Sequence, residues 1–151
     1  MGVYSGTLLK KFYEDRCGRK LYCDVTVEAG GITFYGHRFL LGTISGYFQR
    51  IFEGHFSETH ANKILVLGPL GYEVSSSVME VIFYFIYTET ASLSIDNVYE
   101  VLMTAEYLDI NQLKTCCIEY LISQINAGTW MDTYSIAKTL NILKQSLFEF
   151  Q

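Results

Sequence analysis

Apolar residues recur along this chain with two different periods, and the changes of period mark its elements. In YSGTLLKKFYEDR, Leu8, Leu9, Phe12 and Tyr13 share one side of a helix, with Ser5 or Thr7 as cap and an end near Cys17-Gly18. YCDVTVEA and ITFYGHR are short alternating or β-branched runs about Gly30-Gly31, which predicts a hairpin. Ile44, Tyr47, Phe48, Ile51 and Phe52 then follow the helical template without a miss, and Gly54 stands where a helix stop is wanted. KILVLG, 63–68, reads as a single buried strand closed by Gly68-Pro69. Val78, Val81, Ile82, Phe85 and Ile86 repeat the helical stripe. So do Val98, Val101, Leu102 and Ala105 behind a cap at Asp96, and so do Leu113, Cys116, Cys117, Tyr120 and Leu121. After Asn126-Ala127-Gly128, one or two further short helices are expected, and the chain then stops as if a larger architecture had been cut.

This order of a helix, three strands interspersed with helices, and then helices alone predicts an α+β fold, a small three-stranded sheet clad by a helical cluster. A chain of 151 residues, 50% hydrophobic and only 18% charged, can bury a sizeable core and is not disordered. Its 12 Tyr and 10 Phe supply rings suited to burial against another subunit as well as inside one. The net charge of −5 is uneven: residues 1–50 carry seven basic and four acidic groups, and residues 51–151 four basic and twelve acidic. The early basic patch reads as a solvated face, and the acidic remainder would repel phosphate, so no nucleic-acid partner is expected. No apolar run reaches membrane-spanning length, so no membrane partner is expected either. Cys17, Cys23, Cys116 and Cys117 form no C-x-x-C pair; thiols in a reducing compartment, cytoplasm or nucleus, are the expectation.

Catalytic patterns do not emerge. GTISG, 42–46, places Ser45 one position late for a nucleophile elbow and at the start of a helix with core aromatics. The glycines at 30, 31, 68 and 71 match no phosphate or dinucleotide loop. His37, His55 and His60 with Cys17 and Cys23 have no zinc spacing, so no metal or other cofactor is expected. His37 beside Arg38, at a strand end, reads as a buried hydrogen-bonded pair. The chain is read as non-catalytic.

One stretch asks for an explanation. In RIFEGHFSETH the large apolar ring of Phe56 stands beyond the helix stop among polar residues. Propensity alone folds it back into the core; the alternative is a ring held out for a partner.

YCDVTVEAGGITFYGHRFLLGTISGYFQRIF carries C-D-V, a hairpin, H-R, two leucines, S-x-Y-F and a following apolar pair, in an order that resembles the BTB/POZ domain. VIFYFIYTETASLSIDNVYEVLMTAEYLDINQLKTCCIEYL is similar to the helical hairpins of that family, so the resemblance spans residues 4–125. LLKKFYEDRCGRKLYCDV resembles the family's dimerising helix and swapped strand. The segment 126–151 resembles the start of the BACK domain (the 3-box) of kelch-like proteins, although the usual Asn-Cys is replaced around Ala127-Gly128-Thr129.

The resemblance implies a substrate adaptor of a cullin-3 ubiquitin ligase. In such adaptors a Φ-x-E loop docks on the cullin-3 N-terminal domain, and Phe56-Ser57-Glu58 matches it residue for residue. Tyr107, Leu108, Asp109 and Ile110 are the implied second part of that surface. A homodimer is implied, with Leu8, Leu9, Phe12 and Tyr13 at the interface and Asp24 with Arg38 lining a pocket there. A protein substrate would be held by a missing C-terminal domain. The rival reading is a transcriptional regulator whose dimer binds a co-repressor peptide along the first helix.

Overall fold

The computed structural model describes residues 7–18, 20, 22–54, 63–66, 68, 71, 73–126 and 141. Among them lie α1 (Thr7–Gly18), β1 (Val25–Ala29), β2 (Ile32–Gly36), α2 (Arg38–Ile44), α3 (Gly46–Glu53), β3 (Lys63–Leu65), α4 (Ser76–Thr88), α5 (Val98–Tyr107) and α6 (Asn111–Asn126). The arrangement is the expected α+β one, a three-stranded sheet with six helices. Residues 127–140 and 142–151, where further helices were expected, lie outside the described residues.

The β1–β2 hairpin closes through Gly30 and Gly31, both with positive φ (58° and 75°), the two-residue turn whose twist suits antiparallel strands. Gly30 has a second reason to be glycine. A Cβ there would drive into the backbone N of Ser76, because the turn rests on the first residue of α4. β1 is the central strand, antiparallel to β2 and parallel to β3, in the order β2-β1-β3. Its alternation buries Val25, Val27 and Ala29.

β3 differs from expectation. It is three residues long, lies at the sheet edge, and buries only Ile64, while Leu65 faces outward. Val66 continues the contact through an N–H bond of 3.1 Å to the Glu28 carbonyl and is wholly buried. An apolar run at an edge therefore reads like a buried strand although one face is open.

The long helical period from Ile44 to Phe52 is also broken. Ser45 is extended, ends α2 and caps α3, its Oγ accepting from Phe48 N at 3.2 Å. At Gly54 the chain leaves α3 in an extended conformation (φ −72°), not the left-handed one. α4 starts behind Ser75, whose Oγ accepts from Val78 N, and buries Val78, Met79, Ile82, Phe83, Phe85, Ile86 and Tyr87. It is the spine of the core, and Phe83 stacks on Phe34 of β2 with 5.2 Å between centroids.

α5 begins after Asn97, not at the expected Asp96 cap. The Asn97 side chain instead closes the preceding turn, its Oδ1 accepting from Ser94 N and its Nδ2 donating to the Ser92 carbonyl. In α6, burial pushes the Cys117 thiol up to about 12, which makes it an inert core group. Cys116 is half-buried.

Candidate interaction surfaces

The first candidate surface is built around α3. Ser45, wholly buried, uses its hydroxyl twice: it caps α3 and donates to the Leu108 carbonyl at 2.6 Å. Gly46 N donates to the Asp109 carbonyl at 3.1 Å and Tyr47 N to the Leu108 carbonyl at 3.2 Å. These bonds satisfy amides that the first turn of a helix leaves without intrahelical partners. They also weld the start of α3 to the α5–α6 junction. Ser45 is thereby a structural cap with no exposed nucleophilic oxygen.

The junction itself divides. Leu108 and Ile110 are wholly buried core residues, which corrects the expectation that their side chains share an exposed docking surface. Tyr107 and Asp109 are half-exposed. The Tyr107 ring lies 5.3 Å from that of Tyr47, and the Asp109 carboxylate pairs with Arg50 of α3 at 3.5 Å. Asp109 has φ +55°, a sharp left-handed turn between the two helices. Both exposed members of the junction therefore touch α3. At its other end α3 hands the chain to Phe56-Ser57-Glu58, which lies outside the described residues.

The second candidate surface is α1, and its apolar residues separate into two groups. Phe12 meets the ring of His37 edge-on at 5.4 Å. Tyr13 packs edge-on against Tyr84 at 5.3 Å and donates to Glu80 Oε1 at 2.6 Å. Burial, followed by the Glu80 contact, raises the Tyr13 pKa above its usual value. These two rings belong in part to their own core. Leu8 is 64% exposed and Leu9 half-buried.

Arg16, not anticipated from the sequence, seats the helix. It is 2% exposed, with its guanidinium carbon 4.3 Å from the Tyr13 ring centre and 5.2 Å from that of Phe83, and Nη2 3.5 Å from Glu80 Oε1. Its Nε has no hydrogen-bond partner, so the rings carry part of its stabilisation. Phe39 (60% exposed) and Tyr22 (77% exposed) are further large apolar residues left outside, which the periodicity did not single out.

Asp24 and Arg38 do meet, in a different way from a simple pair of side chains. Asp24 Oδ1 accepts from the backbone N of Arg38 at 2.8 Å, placing a carboxylate at the N-terminus of α2. Arg38 Nε donates to the Asp24 carbonyl at 3.4 Å, and its guanidinium lies 5.0 Å from the Phe52 ring centre. Both residues line an open cleft of about 660 Å³ together with Phe39, Gly42, Phe52 and Glu53.

His37 is buried, but its ring nitrogens contact Tyr87 and Cys23: Nδ1 is 2.6 Å from the Tyr87 hydroxyl and Nε2 3.8 Å from Cys23 Sγ. No cluster of metal-ligating residues exists among the described residues. Among them no helix is long and apolar enough to cross a membrane.

With the sheet, the helical cluster and these surfaces in view, comparison with known proteins fixes the class. Residues 13–125 match the BTB/POZ domain, and the chain belongs to that family. Curated proteins similar to it are kelch-like. Kelch-like protein 34 of Homo sapiens is 37% identical over 123 residues, covering 82% of this chain and 18% of that protein. Kelch-like protein 22 of Rattus norvegicus is 33% identical over 126 residues, with 82% and 19% covered. Kelch repeat protein M-T9 of Myxoma virus (strain Lausanne) is 29% identical over 141 residues, with 91% and 25% covered. The chain thus spans a quarter or less of the length of these relatives. Among solved structures, the BTB domain of zebrafish PATZ1 superposes with a TM-score of 0.67 at 20% identity, covering 82% of this chain and 95% of that one, a likeness of fold.

Proposed function

We propose that this chain is the non-catalytic BTB part of a cullin-3 ubiquitin ligase adaptor. It homodimerises, binds the cullin-3 N-terminal domain through Phe56-Ser57-Glu58, and serves a protein substrate held by a C-terminal domain. Segment 126–151 is read as the start of a BACK domain linking the two. The working compartment is the cytoplasm or the nucleus, a reducing setting for the thiols.

The observation that carries this reading is the seating of α3. Its first turn is bonded to the half-exposed Tyr107–Asp109 junction, and its last residue, Glu53, stands three positions before Phe56 in the sequence. Eight residues of helix span about 12 Å, so α3 sets a fixed distance between the junction and its own last residue, Glu53. The kelch-like relatives are consistent with it.

A ring entering a partner's apolar pocket contributes on the order of 1.5–3 kcal/mol from burial, and Glu58 adds polar register at the rim. Phe56→Ala should therefore weaken binding of the cullin-3 N-terminal domain by about 2 kcal/mol, roughly thirtyfold, in calorimetric titration. Glu58→Ala should weaken it less, and light scattering should still show a dimer in both. Unchanged affinity in both variants would refute the docking assignment.

A further inference from the structure

Arg50 of α3 has a side chain 66% exposed, and the adaptor reading gives it no role. Its Nη1 lies 3.5 Å from Asp109 Oδ2, a pair that joins α3 to the α5–α6 junction. Tyr47 stands three positions earlier on α3, on the same side of the helix, with its ring 5.3 Å from that of Tyr107. The cation thus belongs to the candidate docking surface built around α3 and the junction.

The residue types around this pair are the reverse of what the backbone alone favours. Asp109 has φ +55° just after α5, a left-handed position that ordinarily goes to glycine. Gly46 opens α3, where a residue with a side chain would serve the helix better. A Cβ at Gly46 would run into the Asp109 carboxylate, so the glycine leaves room for that group. An exposed ion pair adds little stability of its own. The arrangement keeps a carboxylate in place, and through it a guanidinium, where stability gives little reason to.

Asp109 engages only part of that guanidinium. One Nη1–Oδ2 contact leaves the rest of the planar fork to solvent, a shape matched to a second carboxylate through two parallel N–H bonds. The neighbouring charges are acidic. Glu53 is exposed and accepts from Gln49, and Glu106 is half-exposed at the end of α5. With Asp109 they repel a partner carboxylate that arrives out of register, whereas Arg50 accepts one in register.

We propose that Arg50 is a specificity-determining residue of the docking surface, binding a carboxylate presented by the docked partner, and that Asp109 positions its guanidinium. This rests on the cullin-docking reading and adds to it the charge that the partner carries opposite α3.

The test is calorimetric titration of the chain with the cullin-3 N-terminal domain at low and high salt, with Phe56→Ala alongside. Arg50→Glu should weaken binding about tenfold or more at low salt. Arg50→Gln should weaken it less and flatten its salt dependence, and it decides alone if Arg50→Glu fails to fold. Asp109→Asn still suits a left-handed backbone; it should weaken binding in the native chain and have no further effect beside Arg50→Gln. Native affinity in the Arg50 variants, with binding lost in Phe56→Ala, overturns this inference and leaves the docking reading standing. Native affinity in Phe56→Ala overturns that reading and this inference with it. Equal losses from Asp109→Asn in both backgrounds take the positioning role from Asp109.

Discussion

α1 and α3 are both short, aromatic-bearing helices beside a candidate interface, yet they are fastened by different means. α3 is fixed through its backbone, with two amides and a cap residue bonded to the α5–α6 junction. α1 rests on α4 through side chains, namely Tyr13 and Arg16 against Glu80, Tyr84 and Phe83. Backbone bonds to carbonyls hold whatever the side-chain sequence, provided the cap remains. Side-chain attachment can be tuned residue by residue. A helix that presents a fixed spacing to a large partner suits the first kind of fastening, and one that exchanges contacts between copies of itself suits the second.

The largest expected effect comes from α1. Leu9→Asp with Phe12→Asp should yield monomers or insoluble protein by light scattering, because charge replaces a half-buried face. Since Phe12 also packs on His37, the cleaner probe is Leu8→Asp, which alters a residue 64% exposed and should weaken the dimer while leaving the melting curve of the isolated subunit unchanged. A dimer of native strength in both variants would take α1 out of the interface.

Next in size is Ser45→Ala, which removes a cap and a bond to a buried carbonyl. A loss of about 2 kcal/mol in urea unfolding is expected, with weaker cullin binding even though residue 45 is buried. A stability loss with native cullin affinity would uncouple the α3 seat from docking.

The smallest effect is alkaline. Tyr13 and Tyr87 both have pKa values raised in the fold, so the unfolded chain releases these protons first as pH passes the ordinary tyrosine value of 10.0. Their contribution to stability is complete below pH 10.0 and falls as pH rises from there toward the folded values. Urea midpoints measured from pH 8 to 11 should show the decline, and Tyr13→Phe should flatten it slightly.

Local pattern revealed whatever depends on local physics. The hairpin followed from Gly30-Gly31 between β-branched runs, and the stripes of α4, α5 and α6 from their spacing. The break at Ser45 was hidden because Ile44 and Tyr47 keep the helical interval across it; the interruption is set by Leu108, 63 positions away. Burial of Leu108 and Ile110 is likewise a tertiary outcome, as is the seat of Arg16, whose desolvation is offset by two rings and a carboxylate. The swap from Asp96 to Asn97 came from a side chain closing a turn before the helix instead of capping it. For Arg16 a weak signal existed: it stands four positions after Phe12 and three after Tyr13, in register with their side of the helix.

The Gly30–Gly31 corner has a practical consequence. Hairpin tips are ordinarily where a tag, a fluorophore attachment point or a grafted epitope does least harm. Here the Gly30 half of the tip abuts Ser76 while Gly31 faces open space, and bulk added at Gly30 would pry the sheet from the start of its central helix. Labels belong in the outward-facing Ser92–Asp96 stretch before α5, where Ser92, Ser94, Ile95 and Asp96 are exposed.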